Sequence, residues 1–135
     1  MKKILLVVGT RPNFIKITQF HNAIKKHSEN IELKMVHTGQ HYDYNMSDVF
    51  FEQLKIQKPD FFLNIEAKTP SSQIGNIIIE LEKIISDYNP NIVIVVGDVN
   101  STLAAAITAN KCGKLIAHLE SGLRSDDLEM PEEIN

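Results

Sequence analysis

The stretch NIVIVVGDVNST, residues 91–102, decides the fold. Ile92 to Val96 is an unbroken apolar run with no polar face. Such a run suits a strand covered on both sides, the usual condition of a parallel sheet. Gly97 lets the chain turn, and Asp98 is the first charged group after the strand. The alanine-rich segment Thr102 to Cys112 follows as a helix thin enough to pack closely on a sheet. Gly113 ends that helix as the glycine past its C-cap, and Asn100 or Ser101 is expected to cap its start.

Working outward, the same alternation recurs. Strands are expected at 4–8 (ILLVV), 31–37 (IELKMVH), 61–64 (FFLN) and 114–119 (KLIAHL). Helices are expected at 14–26, 45–54 and 72–87. The last has the clearest stripe, with Ile74, Ile77, Ile78, Leu81, Ile84 and Ile85 on one side. Asn89-Pro90 marks the turn before the central run. The order βαβαβαβαβ predicts an α/β, Rossmann-like parallel sheet with helices on both faces. No repeat or linker divides residues 1–135, so one domain is expected.

Composition narrows the function classes. The 135 residues are 43% hydrophobic and carry a formal net charge of −3. Mild acidity argues against nucleic acid as the main partner. The single cysteine, Cys112, excludes an internal disulfide framework and a multi-cysteine metal site, and suits a reducing cytoplasm. The N-terminal run Ile4 to Val8 is too short for a secretory segment. No run approaches the roughly 20 apolar residues of a membrane span.

In open parallel sheets, ligands bind outside the carboxyl ends of the strands. After the first strand, GTRP places Arg11 at a helix entrance, either as a surface turn residue or as a contact for phosphate or another oxygen-rich group. No GxGxxG pattern follows, so no dinucleotide cofactor is indicated. After the second strand, Gln40 and His41 are polar loop residues or ligand contacts. After the fourth, Asp98 is either a turn residue or a rigid, partly desolvated carboxylate suited to acid–base work. Glu120 has the same placement after the fifth strand. Adjacent strands lie about 5 Å apart, so the two carboxylates are positioned to share one crevice. Arg124 steadies one of them or binds substrate. His118 reads as structural. In MPEEIN, Pro131 fits the first helical position, and stabilisation of the helix dipole accounts for Glu132 and Glu133.

GTRP, TGQH, GDVNSTLA, HLESGLRS and MPEEIN occur in this order and spacing. Together they resemble the N-terminal part of the non-hydrolysing UDP-N-acetylglucosamine 2-epimerases, over essentially the whole chain. The resemblance implies the N-terminal half of a two-domain, glycosyltransferase-B-like fold, a UDP-binding domain beyond this chain, a length more than twice that of residues 1–135, which are then part of a longer protein, and a homodimer. It implies interconversion of UDP-N-acetylglucosamine and UDP-N-acetylmannosamine without NAD or metal. Matched position by position, Asp98, Glu120 and Glu132 stand at the family's catalytic carboxylates, and Arg11 at its nucleotide-contacting arginine. Gln40 and His41 match a segment that holds a second, regulatory nucleotide-sugar site in some members. Here QHYDYN lacks the arginine after the histidine, and NIEAKTPSS lacks an arginine–glutamine pair, which argues against a regulatory site of that form. Three alternatives stay open: an epimerase of a modified sugar, a hydrolysing 2-epimerase that releases N-acetylmannosamine, and a non-catalytic module. GDVNST and HLESGLRS favour the non-hydrolysing type over the hydrolysing one.

Overall fold

A computed structural model describes residues 1–27, 29–39, 52–53, 55 and 58–135. Five strands, β1 (Lys2–Val8), β2 (Ile31–His37), β3 (Phe61–Phe62), β4 (Ile92–Val96) and β5 (Leu115–Leu119), form one sheet in the order β3-β2-β1-β4-β5. Every pairing is parallel. Helices α1 (Arg11–His27), α2 (Pro70–Tyr88), α3 (Asn100–Lys111) and the short α4 (Pro131–Ile134) complete the described elements. The helix expected at 45–54 lies outside the described residues, apart from Glu52 and Gln53.

Alternation along β1 and β4 divides the core into two layers. Leu5, Val7, Val93 and Val95 face Leu81 and Ile85 of α2 and Ala105 and Ala109 of α3. Leu6, Val8, Ile94 and Val96 face Ile17 of α1, with Phe20 packed alongside. The sheet is thus covered on both faces, which is why these strands are apolar on both sides. Each such aliphatic side chain contributes about 1.5–3 kcal/mol when fully buried.

The helix boundaries follow from their caps. Thr69 and Ser72 form a capping box at the start of α2, with Pro70 in its first turn. Asn89 closes α2 in the left-handed region, at φ 51°, and donates its N–H to the Ile85 carbonyl. Gly113, at φ 67°, follows the Cys112 C-cap of α3 as expected. The start of α3 differs from expectation. Its N-cap is Val99, which has no side-chain cap, and neither Asn100 nor Ser101 caps it. Ser101 and Thr102 turn inward instead. The Ser101 hydroxyl meets that of Thr38 at 2.7 Å, and Thr102 Oγ1 donates to the Val96 carbonyl at 2.7 Å. Buried hydroxyls need partners, and the ends of β2 and β4 supply them.

The chain runs outward from β1 through β2 to β3. It then re-enters on the other side of β1 at β4. The switch point therefore lies between β1 and β4, at the carboxyl end where the polar loops collect.

Candidate active site

Four candidate residues come together beyond β4 and β5. Asp98, Glu120, Arg124 and Glu132 all line one cleft of about 300 Å³. Backbone and ring contacts hold its floor. Gly97, at φ 70°, donates its N–H to the Leu119 carbonyl at 3.0 Å, and His118 Nε2 lies 2.5 Å from the Gly97 carbonyl. His118 thus ties the mouths of β4 and β5 together, the structural part expected of it.

Asp98 differs from expectation in one respect. It is exposed rather than partly desolvated, because Gly97 turns it out of the strand end. Glu120 is also exposed, and its backbone takes φ 63°, a left-handed conformation uncommon outside glycine, asparagine and aspartate. Its carboxylate is ion-paired with Lys16 on α1. Glu132 is partly buried in the first turn of α4. That helix is held over the cleft by Asn135, whose Nδ2 donates to the Asp98 carbonyl at 2.9 Å and to Asn100 Oδ1 at 3.1 Å.

Arg124 does not steady any of the three matched carboxylates. Its Nη1 lies 3.9 Å from Glu133 Oε2. Glu133 is the anchor of this corner, with a side chain only 8% exposed. It accepts from the Ser125 N–H at 2.5 Å and from the Ser125 hydroxyl at 3.1 Å. The Ser125 backbone donor foremost, then its hydroxyl and the Arg124 charge, hold the Glu133 carboxyl below its usual range.

Arg11 opens α1 beyond β1, but its side chain lies outside the described residues, as do Gln40 and His41. Three further polar residues at this end of the sheet were not singled out from the sequence. Lys16 is one; it follows Arg11 on the same helix and reaches Glu120. Asn13 is another, with Oδ1 accepting from the N–H groups of Gly9 at 3.1 Å and Thr10 at 3.4 Å. His37 is the third. It is 3% exposed at the end of β2, and its Nδ1 accepts from Gly39 N–H at 2.7 Å. Burial lowers its pKa to about 4, so its ring is neutral at pH 7.

Among the described residues, no group of three His, Cys, Asp or Glu side chains is placed to hold a metal ion, and no helix is long and apolar enough to cross a membrane. The chemistry on offer is that of carboxylates, one of them beside an ammonium, in a cleft at the carboxyl ends of β4 and β5. This arrangement can move protons and stabilise positive charge.

Comparison with known proteins agrees with this architecture. A family model for UDP-N-acetylglucosamine 2-epimerase matches residues 22–135. Over 133 residues the chain is 49% identical to UDP-2,3-diacetamido-2,3-dideoxy-D-glucuronate 2-epimerase from Pseudomonas aeruginosa, covering 98% of this chain and 37% of that protein. It is 44% identical over 133 residues to UDP-N-acetylglucosamine 2-epimerase from Methanocaldococcus jannaschii, covering 98% of this chain and 36% of that one. The crystal structure of the Methanocaldococcus jannaschii UDP-GlcNAc 2-epimerase in complex with UDP-GlcNAc and UDP matches with a TM-score of 0.91 at 44% identity, over 98% of this chain and 36% of that chain. The chain therefore spans little more than a third of the length of these relatives. With the fold and the sequence match in agreement, the chain belongs to the UDP-N-acetylglucosamine 2-epimerase family.

Proposed function

We propose that this chain, within a protein of its relatives' length, supplies the carboxylate half of a site that interconverts UDP-N-acetylglucosamine and UDP-N-acetylmannosamine. The observation that carries the proposal is the shared cleft, where Asp98, Glu120 and Glu132 converge from β4, β5 and α4.

The chemistry calls for such a set. The C2–H of the sugar is not acidic while the anomeric C–O bond is intact. As that bond breaks, its electron pair leaves with UDP and the ring gains positive charge, which acidifies C2–H. A carboxylate takes the proton, and the C–H pair forms the C1–C2 double bond of a 2-acetamidoglucal. Return of a proton to the opposite face of C2, with UDP oxygen bonding again to C1, gives the epimer. No electrons are gained or lost overall, so the reaction calls for no hydride carrier. Asp98 and Glu132 are assigned the proton transfers, since they stand on different elements flanking the cleft. Glu120, engaged by the Lys16 ammonium, is assigned stabilisation of the developing ring charge. The UDP-binding domain, a homodimer and a cytoplasmic setting belong to the same proposal. Residues 1–135 alone, with half a cleft, are expected to be inactive.

The 49% identity to an epimerase of a UDP-linked diacetamido uronic acid supports a second reading, in which the same chemistry acts on a modified sugar. Proton NMR in D2O separates the two. The full-length protein is given UDP-N-acetylglucosamine or UDP-2,3-diacetamido-2,3-dideoxyglucuronic acid, and the epimer with deuterium at C2 identifies the substrate. Free sugar plus UDP as the product would overturn the non-hydrolysing reaction. Full exchange at C2 in an Asp98→Asn variant would remove Asp98 from its role.

A further inference from the structure

Asn13 is 3% exposed, yet only half of its carboxamide is used. Its Oδ1 accepts from the N–H groups of Gly9 at 3.1 Å and Thr10 at 3.4 Å. Asn13 is the third residue of α1, and the contact reaches back over the helix entrance as the acceptor half of a capping box does. Those two donors also fix the orientation of the amide, because only its oxygen can accept from an N–H. The Nδ2 amino group therefore points away from the cap. It lies 3.5 Å from where a side chain on Gly97 would begin, at the mouth of β4 beside Asp98. Among the described residues Nδ2 donates to none. Among the described residues no side-chain N or O that is fully shut off from solvent lacks a partner, so the small exposed part of Asn13 includes this amino group.

Capping alone does not require an amide. A carboxylate accepts from the same two N–H groups, and its charge is favourable at a helix N-terminus. What asparagine adds is a donor. Of the other side-chain donors described around the cleft, Lys16 is paired with Glu120, His118 lies on the Gly97 carbonyl and Asn135 donates to the Asp98 carbonyl and Asn100, while Arg124 and Ser121 are exposed. Ionised Asp98, Glu120 and Glu132 only accept. Sugar hydroxyls can donate to those carboxylates, whereas an sp2 oxygen on the sugar has to find a donor.

We infer that Asn13 is a specificity-determining residue, whose Nδ2 donates a hydrogen bond to an sp2 oxygen of the sugar, an acetamido carbonyl or a sugar carboxylate, lying next to Asp98. This inference rests on the nucleotide-sugar epimerase reading and deepens it.

The test is Asn13→Asp in the full-length protein. The substitution keeps both cap contacts and turns the donor into an acceptor. The variant is expected to melt no lower than the wild type while its KM rises tenfold or more and kcat changes less. A KM within twofold of wild type would overturn the assignment and leave the epimerase reading standing. A wild type inactive on both UDP-N-acetylglucosamine and the UDP-diacetamido uronic acid would overturn the epimerase reading, and the assignment with it. Where both substrates are turned over, a penalty on both supports the shared acetamido carbonyl, and a penalty on the uronic acid alone supports its carboxylate. A measurement without a variant covers failure of Asn13→Asp to fold. In the 15N-labelled wild type, the Asn13 side-chain amide resonances are expected to shift with the nucleotide sugar and not with UDP; resonances unmoved by the nucleotide sugar would overturn the assignment.

Discussion

Lys16 and Glu120 form an ion pair that joins the first helix to the loop after β5, the edge strand beyond β4. The pair bridges the switch point between β1 and β4, where the two halves of the sheet diverge. Both side chains are partly exposed, so the pair contributes only about 0–1 kcal/mol to stability. Its weight falls on placing charge at the cleft. If the proposed epimerase reaction holds, Lys16→Met is expected to lower kcat/KM of the full-length protein by about a hundredfold with little change in melting temperature. Steady-state kinetics beside a thermal melt decides this. A proportionate fall in both would reduce the pair to a structural tie.

Gly9 has no room for a side chain. A Cβ there would sit 2.3 Å from Ser101 Oγ, 2.7 Å from Ser101 Cβ and 3.0 Å from Thr38 Oγ1. Gly9→Ala is expected to destabilise the fold by about 1–3 kcal/mol through overpacking. Ser101→Ala should cost about 1–3 kcal/mol by stranding the Thr38 hydroxyl, which is 0% exposed. Urea unfolding of both variants checks these values, and a wild-type midpoint for Gly9→Ala would refute the close approach of β1 and α3.

His37 makes stability depend on pH with a definite sign. Its pKa is lowered from 6.5 to about 4 in the fold by burial. Between those values the unfolded chain takes up a proton that the folded chain refuses. Stability is therefore full above about pH 6.5 and falls as the pH drops toward 4, by a total on the order of 3 kcal/mol. His37→Gln retains an acceptor for Gly39 N–H and should flatten this slope. Urea midpoints at pH 7 and pH 5 for the two proteins make the comparison.

Glu133 is expected to order the loop before α4. Its carboxyl is held low chiefly by the Ser125 N–H, so its contribution is present above the ordinary carboxylate pKa and fades as the pH falls through the lowered value. Glu133→Gln should raise the hydrogen-exchange rate of the Ser125 amide severalfold at neutral pH. Unchanged exchange would place the loop's order elsewhere.

The sheet was legible because β1 and β4 hold unbroken apolar runs, and α2 because Ile77, Leu81 and Ile85 fall on one buried stripe. The polar details were not, since each depends on a partner distant in sequence. Ser101 looks like a helix cap until Thr38, at the end of β2, is seen to claim its hydroxyl. Lys16 is one basic residue among many until the fold brings it to Glu120. Glu133 fits helix-dipole stabilisation from sequence, yet its role is set by Ser125 and Arg124. The strand expected at 61–64 is cut to Phe61–Phe62 ahead of Asn64, which takes φ 49°. The shared cleft of Asp98, Glu120 and Glu132 was half legible: parallel topology aligned the ends of β4 and β5, but it takes the contacts of Asn135 and Glu133 to bring α4 across.

The left-handed backbone of Glu120 sets the protein's heat resistance against the role proposed for that side chain. A non-glycine residue in that conformation costs about 1 kcal/mol. Replacement by glycine relieves the strain, and the exposed ion pair it forfeits offsets little of that gain. A laboratory selection for thermostability alone would therefore drift toward glycine at position 120, and the survivors would be sturdier proteins without the carboxylate to which the proposed reaction assigns the ring charge.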